Sequence, residues 1–199
     1  MSKNSYAKAI KDRISKTTKP FILADFYDLA NRVNVRKVIT RLERSGFISR
    51  IARGIYFKTE YSKFLREYIK PSPDAVAKAI ARNFGWNIIP CGNTALNMLG
   101  LSTQVPAVYS YASNGNYKSF SLTNSKTKIH FKHIPNKEIV NLSEKTALLI
   151  QAIKAYGKSN IDQDFTDRLK IAFSQKEIKK IKKEAQYTTS WIYEYISTL

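Results

Sequence analysis

The sequence predicts an α+β protein in two parts: an N-terminal winged helix-turn-helix over residues 1–70, then a mixed α/β domain over residues 71–199 with a small antiparallel sheet and a helical C-terminal end. Three observations predict it. In the first part, stretches of helical apolar spacing lead into a hairpin pattern with a glycine at its turn. Pro71-Ser72-Pro73-Asp74 punctuates the chain. Beyond it, strand patterns between Val105 and His133 are segregated from helical patterns after Leu142, as α+β folds require.

Tyr6, Ala9, Ile10 and Ile14 recur at helical spacing, which predicts a first helix over 5–16. Thr17-Thr18-Lys19-Pro20 ends it, and Phe21-Ile22-Leu23 reads as a short extended stretch. Residues 25–30 read as a short helix with Asp25 and Asp28 near its start, where carboxylates suit the helix dipole. Asn31-Arg32-Val33-Asn34 reads as a turn, with Asn34 as the cap of a helix over 35–45. Val35, Val38, Ile39 and Leu42 form one apolar stripe on that helix. Arg36, Lys37, Thr40, Arg41 and Arg44 occupy the other face, and Gly46 stands where a helix stop is expected. Two strands, 47–51 and 55–57, flank Ala52-Arg53-Gly54. A short helix, a turn, a basic helix and a hairpin with Arg50 and Arg53 near its tip make the grammar of a winged helix. In that arrangement the basic helix enters the major groove of duplex DNA and the hairpin lies along the backbone.

Residues 61–69, with Phe64, Leu65 and Tyr68, read as a helix or an extended linker. Ser72 and Pro73 then open a helix carrying Val76, Ile80 and Phe84, which Gly85 closes. Asn87-Ile88-Ile89-Pro90 is a short strand, and residues 94–99 are a short helix. Strands follow over 108–111, 117–122 and 128–133, with Asn114-Gly115 and Asn124-Ser125 as hairpin turns. Helices are expected over 143–156 (capped by Ser143), 163–173, 175–185 and 188–198.

Charge narrows the function classes. The chain carries 34 Lys and Arg against 15 Asp and Glu, a formal net charge of +19. Of its 10 arginines, 8 precede residue 71. Arginine presents a planar fork of donors suited to phosphates and guanine edges, so the first part is the expected reader of nucleic acid. No apolar run approaches the ~20 residues that span a bilayer, so a soluble, cytoplasmic protein is expected. The single cysteine, Cys91, excludes an internal disulfide framework or a Cys-rich zinc module.

Enzyme signatures are missing. There is no phosphate-binding glycine loop and no nucleophile elbow. His130 and His133 stand three apart on a strand, hence on opposite faces, which suits no shared metal. Cys91 between Pro90 and Gly92 reads as a small buried residue. Glu177-Ile178-Lys179 matches the end of a nuclease motif in composition, but its helical context makes it a solvated face. No catalytic residue, cofactor or metal is expected. Two lysine-rich faces, Lys126–Lys128–His130–Lys132 and Lys176–Lys179–Lys180–Lys183, read first as solvated surface, with RNA or an acidic protein as the alternative partner.

A resemblance runs over about residues 5–195. Ala24-Asp25-Phe26, Leu42-Glu43-Arg44, Arg53-Gly54-Ile55-Tyr56 and, most specifically, the run from Gly92 to Pro106 resemble AbiEi-type antitoxins, in particular their stand-alone branch. The resemblance implies the antitoxin half of a type IV toxin–antitoxin pair. Its winged helix would repress its own operon at an inverted repeat, as a monomer or a DNA-assisted dimer. Its C-terminal domain would oppose a nucleotidyltransferase-like toxin. It places Arg36, Lys37, Thr40, Arg41 and Arg44 on the recognition helix and Arg53 on the wing. Asn93, Leu101, Ser102, Thr103, Gln104 and Pro106 form the signature of the C-terminal domain, where the Gly, Asn and Pro content fits a shaped turn. Two positions depart from the pattern: Ala24 where a Ser or Thr helix cap is frequent, and Thr59 where a Pro often follows the wing strand. The alternative is a winged-helix regulator whose C-terminal domain senses a small molecule or a protein, and a nucleic-acid enzyme is the third reading.

Overall fold

A computed structural model describes residues 3–64, 66–135 and 142–199. The fold is mixed α+β. It divides into two compact units, Met1–Gly85 with Ser121–Lys126, and Trp86–Phe120 with Thr127–Leu199. The division falls after Gly85 instead of at the Pro71–Asp74 punctuation, because the helix that follows the prolines is tied to the N-terminal elements: Arg82 Nη2 donates to Pro20 O at 3.2 Å and to Asp25 Oδ2 at 3.0 Å.

In the first unit, α1 (Lys3–Ser15) leads through a 3₁₀ turn (Leu23–Phe26) to α2 (Arg32–Arg44). Ile10, Ile14, Phe21, Phe26, Val35, Val38, Ile39 and Ile48 form one buried cluster. The expected helix over 25–30 is only this 3₁₀ turn, which begins at Leu23. Its start needs no Ser or Thr at position 24, because the Asp25 carboxylate accepts the Ile22 N–H at 2.9 Å. α2 begins three residues earlier than the apolar stripe indicates. Its cap is Asn31, not Asn34: the Asn31 side chain accepts the Asn34 N–H at 3.0 Å.

Strands β1 (Ile48–Ala52) and β2 (Ile55–Lys58) pair antiparallel around Arg53 and Gly54, whose φ of 78° is the left-handed value that glycine adopts freely. Phe21 bridges Tyr56 through two backbone bonds of 2.8 and 3.0 Å, so the predicted extended stretch joins the hairpin. Thr59 donates its N–H to Phe47 O at 3.1 Å, a bond that proline at this position cannot make. The segment 61–69 is neither helix nor plain linker. β3 (Tyr61–Ser62) and β4 (Glu67–Tyr68) form a minimal antiparallel hairpin with Phe64 exposed, while Leu65 lies outside the described residues. α3 (Pro73–Phe84) is capped by Ser72 and closed by Gly85 as its spacing predicts. Val76 and Ile80 are buried on it, and Phe84 is exposed.

The second unit holds a four-stranded sheet of order β5 (Ile88–Pro90), β6 (Val108–Ser113), β8 (Lys128–His133), β7 (Lys118–Ser121). The hairpin expected at Asn114-Gly115 does not form, and the sheet is mixed instead of antiparallel. β6 pairs antiparallel with β5 and parallel with β8, with Tyr111 opposite Phe131. Burial decides this. Tyr111, Ala112 and Ser113 are fully covered and occupy the sheet interior, while exposed β7 takes an edge. The Asn114-Gly115 turn serves as a clasp: Asn114 Oδ1 accepts the Asn87 N–H at 2.9 Å, and Ile134 donates to Ser113 O at 2.9 Å.

α4 (Asn93–Met98) precedes β6, and α5 (Glu144–Tyr156), α6 (Gln163–Ala172), α7 (Gln175–Glu184) and α8 (Ser190–Thr198) complete the unit. Their core includes Leu149, Ile153, Phe165, Leu169, Ile181, Ile192 and Ile196. Ser143 stands at the start of α5, but its hydroxyl does not cap the helix. It donates to Glu184 Oε2 at 2.6 Å, and the same oxygen accepts the Ser143 N–H and the Thr146 hydroxyl. Burial opposes ionisation of Glu184, but these bonds outweigh it and hold its pKa at about 2. No helix among the described residues is long and apolar enough to cross a membrane.

Candidate nucleic-acid interface

α2 sorts its residues by face. Val35, Val38 and Ile39 are buried and Leu42 is half-buried, so the apolar stripe is satisfied by the unit's own core. Arg36, Lys37, Arg41 and Arg44 are exposed and Thr40 is half-buried on the opposite face. On the hairpin, Arg50 and Arg53 are both exposed.

Ion pairing separates two kinds of arginine. Arg13 grips Asp28 through two bonds of 2.8 and 2.7 Å and also donates to Asp25 O at 2.9 Å. The bond to Asp28 raises the Arg13 pKa, and the same bond lowers that of Asp28. Arg82 pairs with Asp25. Among the described residues, Arg36, Lys37, Arg41, Arg44, Arg50 and Arg53 form no ion pair. Arg13 and Arg82 therefore brace the fold, whereas the donors of the cations on α2 and the hairpin are not taken up by ion pairs among the described residues. Composition alone counts these groups together, since only the fold brings Asp25 and Asp28 to Arg82 and Arg13. Arg32, which the sequence pattern assigned to a turn, is exposed on α2 with its guanidinium 5.3 Å from the centre of the Tyr27 ring. Arg50 and Arg53 also line an open groove of about 710 Å³ beside Gly46 and Ser49.

The signature run of the second unit is a shaped loop. Asn93 is exposed at the first position of α4, Leu101 is buried, Ser102 and Pro106 are half-buried, and Thr103 and Gln104 are exposed. The side chain that shapes the loop is one that pattern reading passed over. Asn97 Nδ2 donates to Ser102 O at 3.3 Å and to Gln104 O at 3.1 Å, and Ser102 Oγ accepts the Gln104 N–H at 3.2 Å. An Asn between apolar helix positions, followed by a glycine stop, was the available signal.

The other candidates have ordinary places. Cys91 is buried, and desolvation raises its thiol pKa against an opposing influence from Lys132. His133 Nδ1 lies 3.0 Å from Gly115 O. Glu177 is part of a capping box with Ser174 and pairs with Lys145, and these bonds lower its pKa to about 2. On β8, Lys128 and Lys132 are exposed and Ile129 and Phe131 buried, the expected alternation. Among the described residues no group of three His, Cys, Asp or Glu side chains converges on a metal position.

Comparison with curated proteins returns no match. A family model, described as a family of unknown function, matches residues 9–183, and the chain belongs to that family, DUF6088.

Proposed function

We propose that the first unit is a winged helix-turn-helix that binds duplex DNA, with α2 as recognition helix and the β1–β2 hairpin as wing. The carrying observation is the unpaired, exposed set Arg36, Lys37, Arg41, Arg44, Arg50 and Arg53 on α2 and the adjoining hairpin. Phosphates and guanine edges are the ligands that such donors recognise best. Thr40, on the same face, adds a hydroxyl for a base or phosphate. The unit's role is binding and not catalysis, in a cytoplasmic regulator. The test is fluorescence anisotropy with a duplex carrying the promoter region of its own gene. Arg36→Ala with Arg41→Ala weakens binding by about 1–3 kcal/mol for each base edge that is no longer held, and it flattens the salt dependence. Unchanged affinity and salt slope refute α2 as the reader.

The resemblance of Gly92–Pro106 to AbiEi-type antitoxins extends the proposal. The chain would repress its own operon, and its second unit would oppose a nucleotidyltransferase-like toxin encoded beside it. Co-expression in a growth assay tests this part on its own. The full-length chain restores growth to cells expressing such a neighbour, and persistent toxicity leaves a DNA-binding regulator without antitoxin activity.

A further inference from the structure

The wing contains a bulge. The β1–β2 register shifts between Arg50 and Ala52, leaving Ile51 outside the ladder. The Ile51 carbonyl is nevertheless satisfied, since it accepts the Thr123 N–H at 2.8 Å. Thr123 comes from Ser121–Lys126, a segment remote in sequence but part of the same compact unit. Two further anchors hold it: Leu122 is buried, and Lys70 Nζ donates to Asn124 O at 2.9 Å. Asn124 turns the chain in the left-handed region, with φ 53°.

This anchoring fixes the backbone and leaves the polar side chains outward. Ser121, Thr123, Asn124 and Lys126 are exposed. The first three line the 710 Å³ groove together with Ser49, Arg50 and Arg53, and Glu43 supplies the one carboxylate among its lining residues. Arginine forks beside hydroxyl and amide groups are the chemistry that proteins present to phosphate oxygens.

We propose that this groove seats the phosphate backbone of duplex DNA, with residues 121–124 as its second wall and Lys126 just beyond them in the chain. The inference rests on the DNA-binding reading and adds residues that lie outside the winged-helix pattern. Arg50 and Arg53 supply charge from the wing, and exposed Lys126, two residues along the chain from Asn124, supplies it from the flank of the other wall. Ser121, Thr123 and Asn124 add uncharged hydrogen-bonding groups. Interactions of this kind position a duplex without reading its sequence.

The experiment uses the full-length chain and a fluorescein-labelled mixed-sequence duplex, titrated by anisotropy at several salt concentrations. Lys126→Ala reduces the slope of log affinity against log salt by about 0.9, the value of one neutralised phosphate. Thr123→Ala with Asn124→Gly keeps the Ile51 bond and tolerates the positive φ, and it weakens binding several-fold without changing the slope. Melting by circular dichroism checks the fold. If the double variant melts early, Lys126→Ala and Lys126→Glu decide the matter, because that side chain is exposed. Wild-type affinity and slope in all groove variants, with weakened binding by Arg36→Ala/Arg41→Ala, overturns the groove and leaves the DNA-binding reading standing. Weakened binding in the groove variants alone supports the groove and overturns α2 as the reader. Absence of binding by the wild-type chain overturns both.

Discussion

Replacing Gly115 with alanine probes how β6 is seated. The glycine is buried, and its φ lies outside the left-handed region, so the cost of a side chain there is steric. An added Cβ would fall against Cε2, Cδ2 and Nε1 of Trp86, well inside the ~3.5–4.0 Å at which carbon atoms pack. The backbone cannot easily retreat. Gly115 N donates to Ser113 Oγ at 2.9 Å, and Gly115 O lies 3.0 Å from His133 Nδ1. The indole must therefore move. It packs edge-on to Phe131 with centroids 5.5 Å apart, and Phe131 also meets Tyr111 and Phe120. Breaking one such aromatic pair costs about 0.5–1.5 kcal/mol. Overpacking costs about 1–3 kcal/mol. We expect Gly115→Ala to lower the unfolding free energy by about 1.5–4.5 kcal/mol from the two together. Urea denaturation followed by circular dichroism measures it. In a Trp86→Ala background the same substitution should cost less than about 0.5 kcal/mol, since the space is vacated. Equal destabilisation in the two backgrounds refutes the clash as the cause.

Further outcomes follow from the same geometry. The Glu184 pKa is about 2 in the folded chain, below the ordinary 4.5, so its stabilisation is full above the unfolded value and is lost as pH falls from about 4.5 toward 2. Glu184→Gln should flatten that acid limb in pH-dependent urea titrations, and Glu184→Ala should cost about 1–3 kcal/mol at neutral pH by stranding the Ser143 and Thr146 donors. Asn97→Ala removes two loop bonds, so amide exchange over 102–104 should accelerate while global stability falls by about 1 kcal/mol; unchanged exchange would show that the loop is held otherwise. Cys91 should resist a thiol-specific disulfide reagent in the native chain and react on unfolding, and rapid native labelling would contradict its burial.

Local pattern was informative where each element satisfies itself. The Val35–Leu42 stripe, the Arg53-Gly54 turn and the Ser72-Pro73 helix start are set by residues within a few positions of one another, and these are found as expected. Cap identity was less legible. Asn31 and Asn34 are equally good caps in isolation, and the choice rests on where the core places the first turn of α2. Ser143 shows the same limit, because a carboxylate remote in sequence takes its hydroxyl. For the candidate interface, residue type identified the cations, but not which of them are already engaged. That depends on Asp25 and Asp28 reaching Arg82 and Arg13.

By itself, the sequence determined a basic α+β chain with its arginines concentrated before residue 71, a basic face on α2, and the strand alternation of β8. Only the tertiary structure decided the parallel pairing of β6 with β8, the place of α3 in the first unit, and the return of residues 121–126 to the β1–β2 hairpin. The reason is physical. Periodicity and turn chemistry act over a few residues, whereas sheet order and ion pairing depend on which distant groups can be buried or satisfied together.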